Sequence, residues 1–367
     1  MASKVYFWDL KTSLKARYDT KIKRLLKVTE VAKFIDSKDL VAIKLHFGEE
    51  GCTGFIRPIY IKPIVSFLKN CGAKVFLTDT NTLYVGKRIE SVSHLLLAYE
   101  HGFDPSVLGA PIIIADGLKS HNEVVVKYDG NQYKEFYIAR DILDADYMVN
   151  VSHFKGHELA GFGGAIKNIA MGCATRKGKM KQHFGLAPKV HKDKCIGCKR
   201  CIQVCEPKAL YIDEDGKIGI YDKKCVGCGA CFLECKQNAL EINWDVDVKL
   251  FVERMVEYAC ATLSQFEKPV LHINFVINVT PYCDCKSYND PPICPDIGVL
   301  ASYDPVAIDQ ASLDLVNQAV CLSSLPQSVK PGDDKFKAIH KDTRGDYVLE
   351  YAENMGLGKR SYELIKI

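Results

Sequence analysis

The chain has 367 residues, 47% hydrophobic and 26% charged, with a formal net charge of +4. That length exceeds the usual single domain, so two domains, or one domain carrying an insertion, are expected. The charge is mild and forms no basic stripe with interleaved aromatics, which argues against nucleic acid as a partner. No apolar run approaches the ~20 residues of a membrane span or the core of a signal peptide, so a cytoplasmic protein with no membrane partner is expected.

From the N-terminus, short β-rich runs alternate with amphipathic stretches. Strands are predicted at 5–8, 40–47, 74–78, 111–115 and 147–151, and helices near 21–35, 58–70 and 90–101. The first helix carries Ile22, Leu25, Leu26, Val28, Val31 and Phe34 at near-helical spacing. Such alternation implies right-handed crossovers and an α/β fold with a doubly wound, largely parallel sheet. Ligands of these sheets sit outside the carboxyl ends of the strands. The post-strand segments "KLHFGEEGCTGFIRP" (44–58) and "LTDTNTLYVGKR" (77–88) are therefore the first candidates. Lys44 and His46 end one strand, and His46 reads equally as base, ligand or core histidine. Asp79 and Asn81 follow the next strand, where they could grip hydroxyls or a metal.

Residues 153–183, "HFKGHELAGFGGAIKNIAMGCATRKGKMKQH", thread three histidines, five lysines and an arginine through a glycine-rich apolar run. Glycines let the backbone approach a ligand, and N–H groups at a helix start near Gly163 and Gly164 would cradle an anion. Lys155, Lys167, Arg176, Lys177 and Lys179 add positive charge, and Asn168 adds a polar group. A small anionic ligand, or an anionic nucleotide-like cofactor, is expected here. His157, Lys167, His183 and His46 are the candidate catalytic groups.

Residues 188–243 are cysteine-dense. "CIGCKRCIQVCEP" (Cys195, Cys198, Cys201, Cys205) and "CVGCGACFLECKQ" (Cys225, Cys228, Cys231, Cys235) share the spacing C-x2-C-x2-C-x3-C. Two-residue gaps wrap backbone around one face of a cubane, and Gly197, Gly227, Gly229 and Ala230 permit the close approach. Zinc uses fewer cysteines in differently spaced pairs. This segment resembles the two-cluster bacterial ferredoxins throughout. The resemblance implies that Cys195, Cys198, Cys201 and Cys235 hold one [4Fe–4S] cluster, and Cys225, Cys228, Cys231 and Cys205 the other. Two clusters imply electron transfer, a redox partner protein, a reducing compartment and an anaerobic host. So short an insert cannot bury much core, so the clusters must hold it together.

Core building resumes with a helix at 248–263, a strand at 270–278 and a helix at 304–320 opened by Asp304 and Pro305. The organisation is thus one α/β domain, 1–187 plus 244–367, interrupted by the insert 188–243, with the last dozen residues a loose tail. "TPYCDCKSYNDPPICPDIG" (280–298) places Cys283, Cys285 and Cys294 as C-x-C-x8-C, which would suit a third metal or a redox pair. Cys52, Cys71, Cys173, Cys260 and Cys321 read as packing residues, and His272 as structural.

The α/β domain is similar to the DUF362 family, on "AIKLHFGE" (42–49), "LTDTNTLY" (77–84), "HELAGFGGAIKNIAMG" (157–172) and "DIGVLASYDPVAID" (296–309). That resemblance implies a fold and a pocket but no reaction. A more remote likeness is to the lactate racemases, in the segment H-x2-A-G-[FY]-x-G-G-x-K followed by a histidine. It implies His157 as a proton-transfer base, Lys167 as a covalent tether to a nickel-pincer nucleotide, and His183 as nickel ligand. Arg57 and Pro58 match an arginine–proline pair of that family. The chain has "TDTNT" (78–82) where those enzymes place a second catalytic histidine, so two-base racemisation is not expected. No G-x-G-x-x-G follows a strand, which leaves a Rossmann-type nicotinamide or flavin unsupported. The expected function is a ferredoxin-coupled oxidoreductase acting on a small anion. The alternatives are an electron carrier without its own substrate and a nickel-pincer isomerase or metallocofactor maturation factor.

Overall fold

The computed structural model describes residues 2–183, 187–225, 229–241 and 247–367. An eight-stranded sheet forms its centre, in the spatial order Tyr362–Lys366, Ser3–Trp8, Gly298–Ser302, Leu271–Val276, Tyr147–His153, Leu40–Lys44, Lys74–Asp79, Ile112–Ile114. Only Gly298–Ser302 runs against the rest, pairing antiparallel with both neighbours. The predicted doubly wound, mostly parallel α/β sheet is therefore present.

The strands are nearly continuous apolar runs because helices cover both faces. Side-chain alternation divides them between two cores. Val41, Ile43, Tyr147 and Val149 face a core with the helices Tyr18–Val28 and Pro58–Asn70. Ala42 and Met148 face the opposite core, with the helices Ala165–Gly172, Val248–Leu263 and Pro305–Gln318. Chain order reverses between Leu40–Lys44 and Tyr147–His153. From there the sheet grows one way through Lys74–Asp79 and the other way through Leu271–Val276. That is the topological switch point, where a crevice opens beyond the strand ends.

Three elements depart from the sequence reading. The expected C-terminal tail is an edge strand, held by parallel pairing of Tyr362–Lys366 with Ser3–Phe7. Residues 176–183, read as part of a cationic loop, form a helix with Arg176, Lys179, Met180 and Gln182 buried. The hairpin Glu123–Lys127 with Glu135–Ala139 had no counterpart in the prediction.

Within the cysteine-dense segment, Lys189–Val190 pairs antiparallel with Leu240–Glu241, and Leu210–Ile212 with Ile218–Ile220. The two halves repeat at an offset of 30 residues. Lys208 and Asn238 both adopt positive φ, at 51° and 50°. In the next position, Ala209 and Ala239 donate N–H to Cys205 Sγ and Cys235 Sγ, each at 3.3 Å.

Candidate functional site

A cavity of about 580 Å³ opens at the switch point, beyond the carboxyl ends of four parallel strands. Each strand is followed by a lining residue: Thr80 directly after Lys74–Asp79, His46 and Lys155 two positions beyond their strands, and Cys283 seven beyond Leu271–Val276. The loop 82–88 and the glycine-rich segment complete the wall. Of the predicted residues, His46, Asp79, Lys155, His157, Gly163, Gly164, Lys167, Asn168, His183, Cys283 and Cys285 line this one cavity.

Lys44, Asn81 and Arg57 do not. Lys44 is buried behind the wall, where its ammonium meets Leu45 O at 2.8 Å, Asn168 Oδ1 at 2.8 Å and Asp79 at 3.1 Å. Three acceptors satisfy its three hydrogens. Asn81 is likewise consumed inside the fold by Asp116 and the Gly117 carbonyl. Arg57 is exposed at the start of the helix Pro58–Asn70 and does not line the cavity. Asn168 lines the cavity but spends its amide on the strands, donating to Asn150 Oδ1 at 2.7 Å and Val151 O at 3.0 Å.

The cavity floor is a closed ionic network that sequence reasoning missed. Arg88 donates to Glu49 at 3.1 Å, lies 3.6 Å from Asp79 and 3.0 Å from His46 Nε2, and bonds the Tyr84 hydroxyl. Burial pushes the Asp79 carboxyl up, but the Lys44 and Arg88 charges outweigh it and hold it below its usual range. Both carboxylates are thus engaged internally. Burial first, then the Arg88 charge, holds His46 neutral, which leaves Nε2 free to accept from Arg88.

Sequence reading placed the anion cradle at the helix N-terminus beside Gly163 and Gly164. The structure fills that cradle from within. Asp309 accepts from Ala165 N–H at 2.7 Å and Ile166 N–H at 3.0 Å. A Cβ on Gly164 would collide with the same carboxylate, which accounts for the glycine. The chain's own aspartate takes the dipole-favoured position.

Positive charge toward a ligand comes instead from side chains. The stems of Lys155 and Lys167 pass side by side against Gly163. Lys155 is tied to the buried Asp284 at 3.1 Å. Among the described residues Lys167 has no carboxylate within ion-pair distance, and its ammonium meets Cys283 Sγ at 3.4 Å. Lys179 lines the cavity with its three hydrogens given to Thr80, Asn81 O and Ala174 O. Arg176 is buried against backbone carbonyls, and Lys177 lies over the Tyr137 ring, so neither serves the pocket.

His157 also changes role. Its Nδ1 accepts from Leu159 N–H at 3.2 Å and Ala160 N–H at 3.1 Å. Burial, then the charges of Lys167 and His183, hold the ring neutral. A neutral ring with Nδ1 accepting carries its hydrogen on Nε2. It is a donor as placed, not the base implied by the racemase likeness. His183 lies with its ring 4.9 Å from Phe251, and burial and Lys167 lower it to about 3.

The third candidate metal site does not assemble. Cys283 and Cys285 line the cavity, whereas Cys294 is buried in the apolar core and does not.

The cysteines of the first predicted set come together in the fold. Cys195, Cys198, Cys201 and Cys235 line one small cavity, three from the first motif and the last from the second. Burial, then the neighbouring Cys235, pushes the Cys201 thiol up to about 11. Gly197 and Ile218 N–H groups both point at Cys195 Sγ at 3.4 Å. Among the described residues no three ligand-type side chains converge tightly enough for a single ion. Of the second set, Cys205 and Cys231 pack against the same apolar core and Cys225 is half-buried. Cys228 and Gly227 lie outside the described residues.

Fold and site together define an α/β protein with a ligand-sized, cation-lined cavity at its switch point. The chain belongs to the DUF362 family, a domain of unknown function whose family model matches residues 41–314. No curated protein matches it. Among solved structures, the lactate racemase apoprotein from Thermoanaerobacterium thermosaccharolyticum is 15% identical, over 64% of this chain and 48% of that one, with a TM-score of 0.35. A structural-genomics protein from Thermotoga maritima is 10% identical over 83% and 59%, with a TM-score of 0.44. The chain thus spans about half of the first protein's length and three-fifths of the second's.

Proposed function

We propose that the protein is an iron–sulfur oxidoreductase that exchanges electrons with a small anionic ligand in the switch-point cavity. Cys195, Cys198, Cys201 and Cys235 would hold one [4Fe–4S] cluster, and Cys225, Cys228, Cys231 and Cys205 the second. When bound, such clusters supply single electrons. One observation carries the reading. Leu83, in the loop that lines the cavity, and Met180 belong to the same apolar core as Cys195 and Cys201. The cysteine-rich segment is therefore packed against the pocket wall rather than held away from it.

The remaining roles follow from the geometry. Lys155 and Lys167 attract and orient the anion, and the Nε2 hydrogen of His157 offers a neutral donor. Ile196 and Cys198 are exposed, which leaves a redox partner protein an approach to the first cluster. A reducing, cytoplasmic and anaerobic setting suits thiols of this kind.

Iron and acid-labile sulfide in anaerobically purified protein test the reading. About eight of each per chain are expected for two clusters. Fewer than about four would sink it. A second reading, nickel-pincer chemistry, draws on the meeting of His157, Lys167 and His183 in one cavity. Nickel analysis with a mass search for an adduct on Lys167 decides that reading, and absence of both removes it.

A further inference from the structure

We propose that Cys283 and Cys285 are a redox-active dithiol inside the cavity, cycling between an intramolecular disulfide and a reduced pair. On reduction the S–S bond breaks and two electrons enter. Cys285 takes one proton, while Cys283 remains a thiolate against the Lys167 ammonium. Re-oxidation reverses each step. This deepens the function proposed above and rests on it in one respect: the two clusters, one electron each, would be the electron source.

The geometry is that of a working pair. Both sulfurs line the cavity instead of being sealed in apolar core. The two cysteines stand one residue apart in a single turn, both on the cavity wall. Lys167 Nζ lies 3.4 Å from Cys283 Sγ, so a cation sits on the sulfur that must carry charge. The intervening residue anchors the turn. Asp284 is fully buried and accepts from His153 Nδ1 at 2.9 Å and Lys155 at 3.1 Å. Its carbonyl accepts from Glu49 N–H at 2.9 Å, and Lys286 N–H closes the turn on Cys283 O at 3.0 Å. The neighbouring Cys285 first, then Lys167 and Lys155, hold the Cys283 thiol well below its usual value against burial. Cys260, by contrast, is pushed up to about 12 by burial, as an inert packing thiol is.

Differential alkylation of full-length, anaerobically purified protein tests this. Mild oxidation should block both cysteines together, leave the peptide that carries them about 2 Da lighter, and be reversed by dithiothreitol. Cys285→Ser should abolish that disulfide. The oxidised wild type should take up about two more electrons than Cys285→Ser on reductive titration. Lys167→Ala should move the pH at which Cys283 alkylation turns on upward by about one unit, as loss of one neighbouring charge predicts. A pair that stays reduced, or a disulfide between Cys283 and the nearby Cys52, overturns the proposal. Iron content is read separately. A disulfide in iron-free protein would leave this inference standing and remove the cluster reading, and eight irons without a disulfide would do the reverse.

Discussion

Asp309 shows how one residue can reassign a site. Its carboxylate occupies the start of the helix Ala165–Gly172, where a glycine-rich approach suggested a ligand anion. Asn274 adds a third donor at 2.7 Å, so the charge is fully coordinated inside the fold. Gly164 is the residue that makes room for it. Gly164→Ala should therefore displace the carboxylate and destabilise the protein by about 2–4 kcal/mol, a strained and uncapped helix start. Urea unfolding measures this, and a change within about 0.5 kcal/mol would show that the carboxylate moves aside freely. The same local logic converts His157 from base to donor, because two backbone N–H groups claim its Nδ1. Neither assignment was legible in the sequence. Asp309 lies 144 residues from the amide it caps.

At the scale of elements, periodicity and caps served well wherever an element buries one clear face. The helix Pro58–Asn70 begins at the predicted proline, and Pro305–Gln318 follows an Asp304 cap whose carboxylate accepts from Val306 and Ala307 N–H. The failures were elements stabilised by distant partners. The edge strand Tyr362–Lys366 is short and largely exposed, and it exists because Ser3–Phe7 offers a ladder. The helix Arg176–His183 buries charged residues because backbone carbonyls of the loop after Lys74–Asp79 receive them. That loop also supplies Leu83, 3% exposed, to the cysteine-rich core. Leu83→Ala should cost about 2–5 kcal/mol, the usual range for a buried leucine. It should also raise amide exchange across 189–241 more than in the central sheet. Equal protection in both regions would mean that Leu83 does not join the two.

Across the whole molecule, buried neutral histidines set the acid limit. Burial lowers both His94 and His272 to about 3. The unfolded chain protonates them near pH 6.5, so their contribution is intact above that pH and is lost as pH falls toward 3. Together they should steepen the loss by about 2.7 kcal/mol per pH unit around pH 5. Urea midpoints at pH 7, 6 and 5 check this, and His272→Gln should reduce the slope by about one proton. Stability that stays flat over that interval would contradict the buried neutral state.

Composition and strand–helix alternation determined by themselves that this is an α/β protein with a mostly parallel sheet. They also located its candidate chemistry in the segments that follow the strands. These are local properties, written in the periodicity of neighbouring residues. Only the tertiary structure decided which candidates share the cavity, that Lys44 and Asn81 serve the wall rather than a ligand, and that the helix dipole is already answered. It also decided that Cys283 and Cys285 face Lys167 while Cys294 turns elsewhere. Those outcomes depend on partners from 35 to more than a hundred residues apart meeting at one switch point, where each polar atom can be satisfied only once.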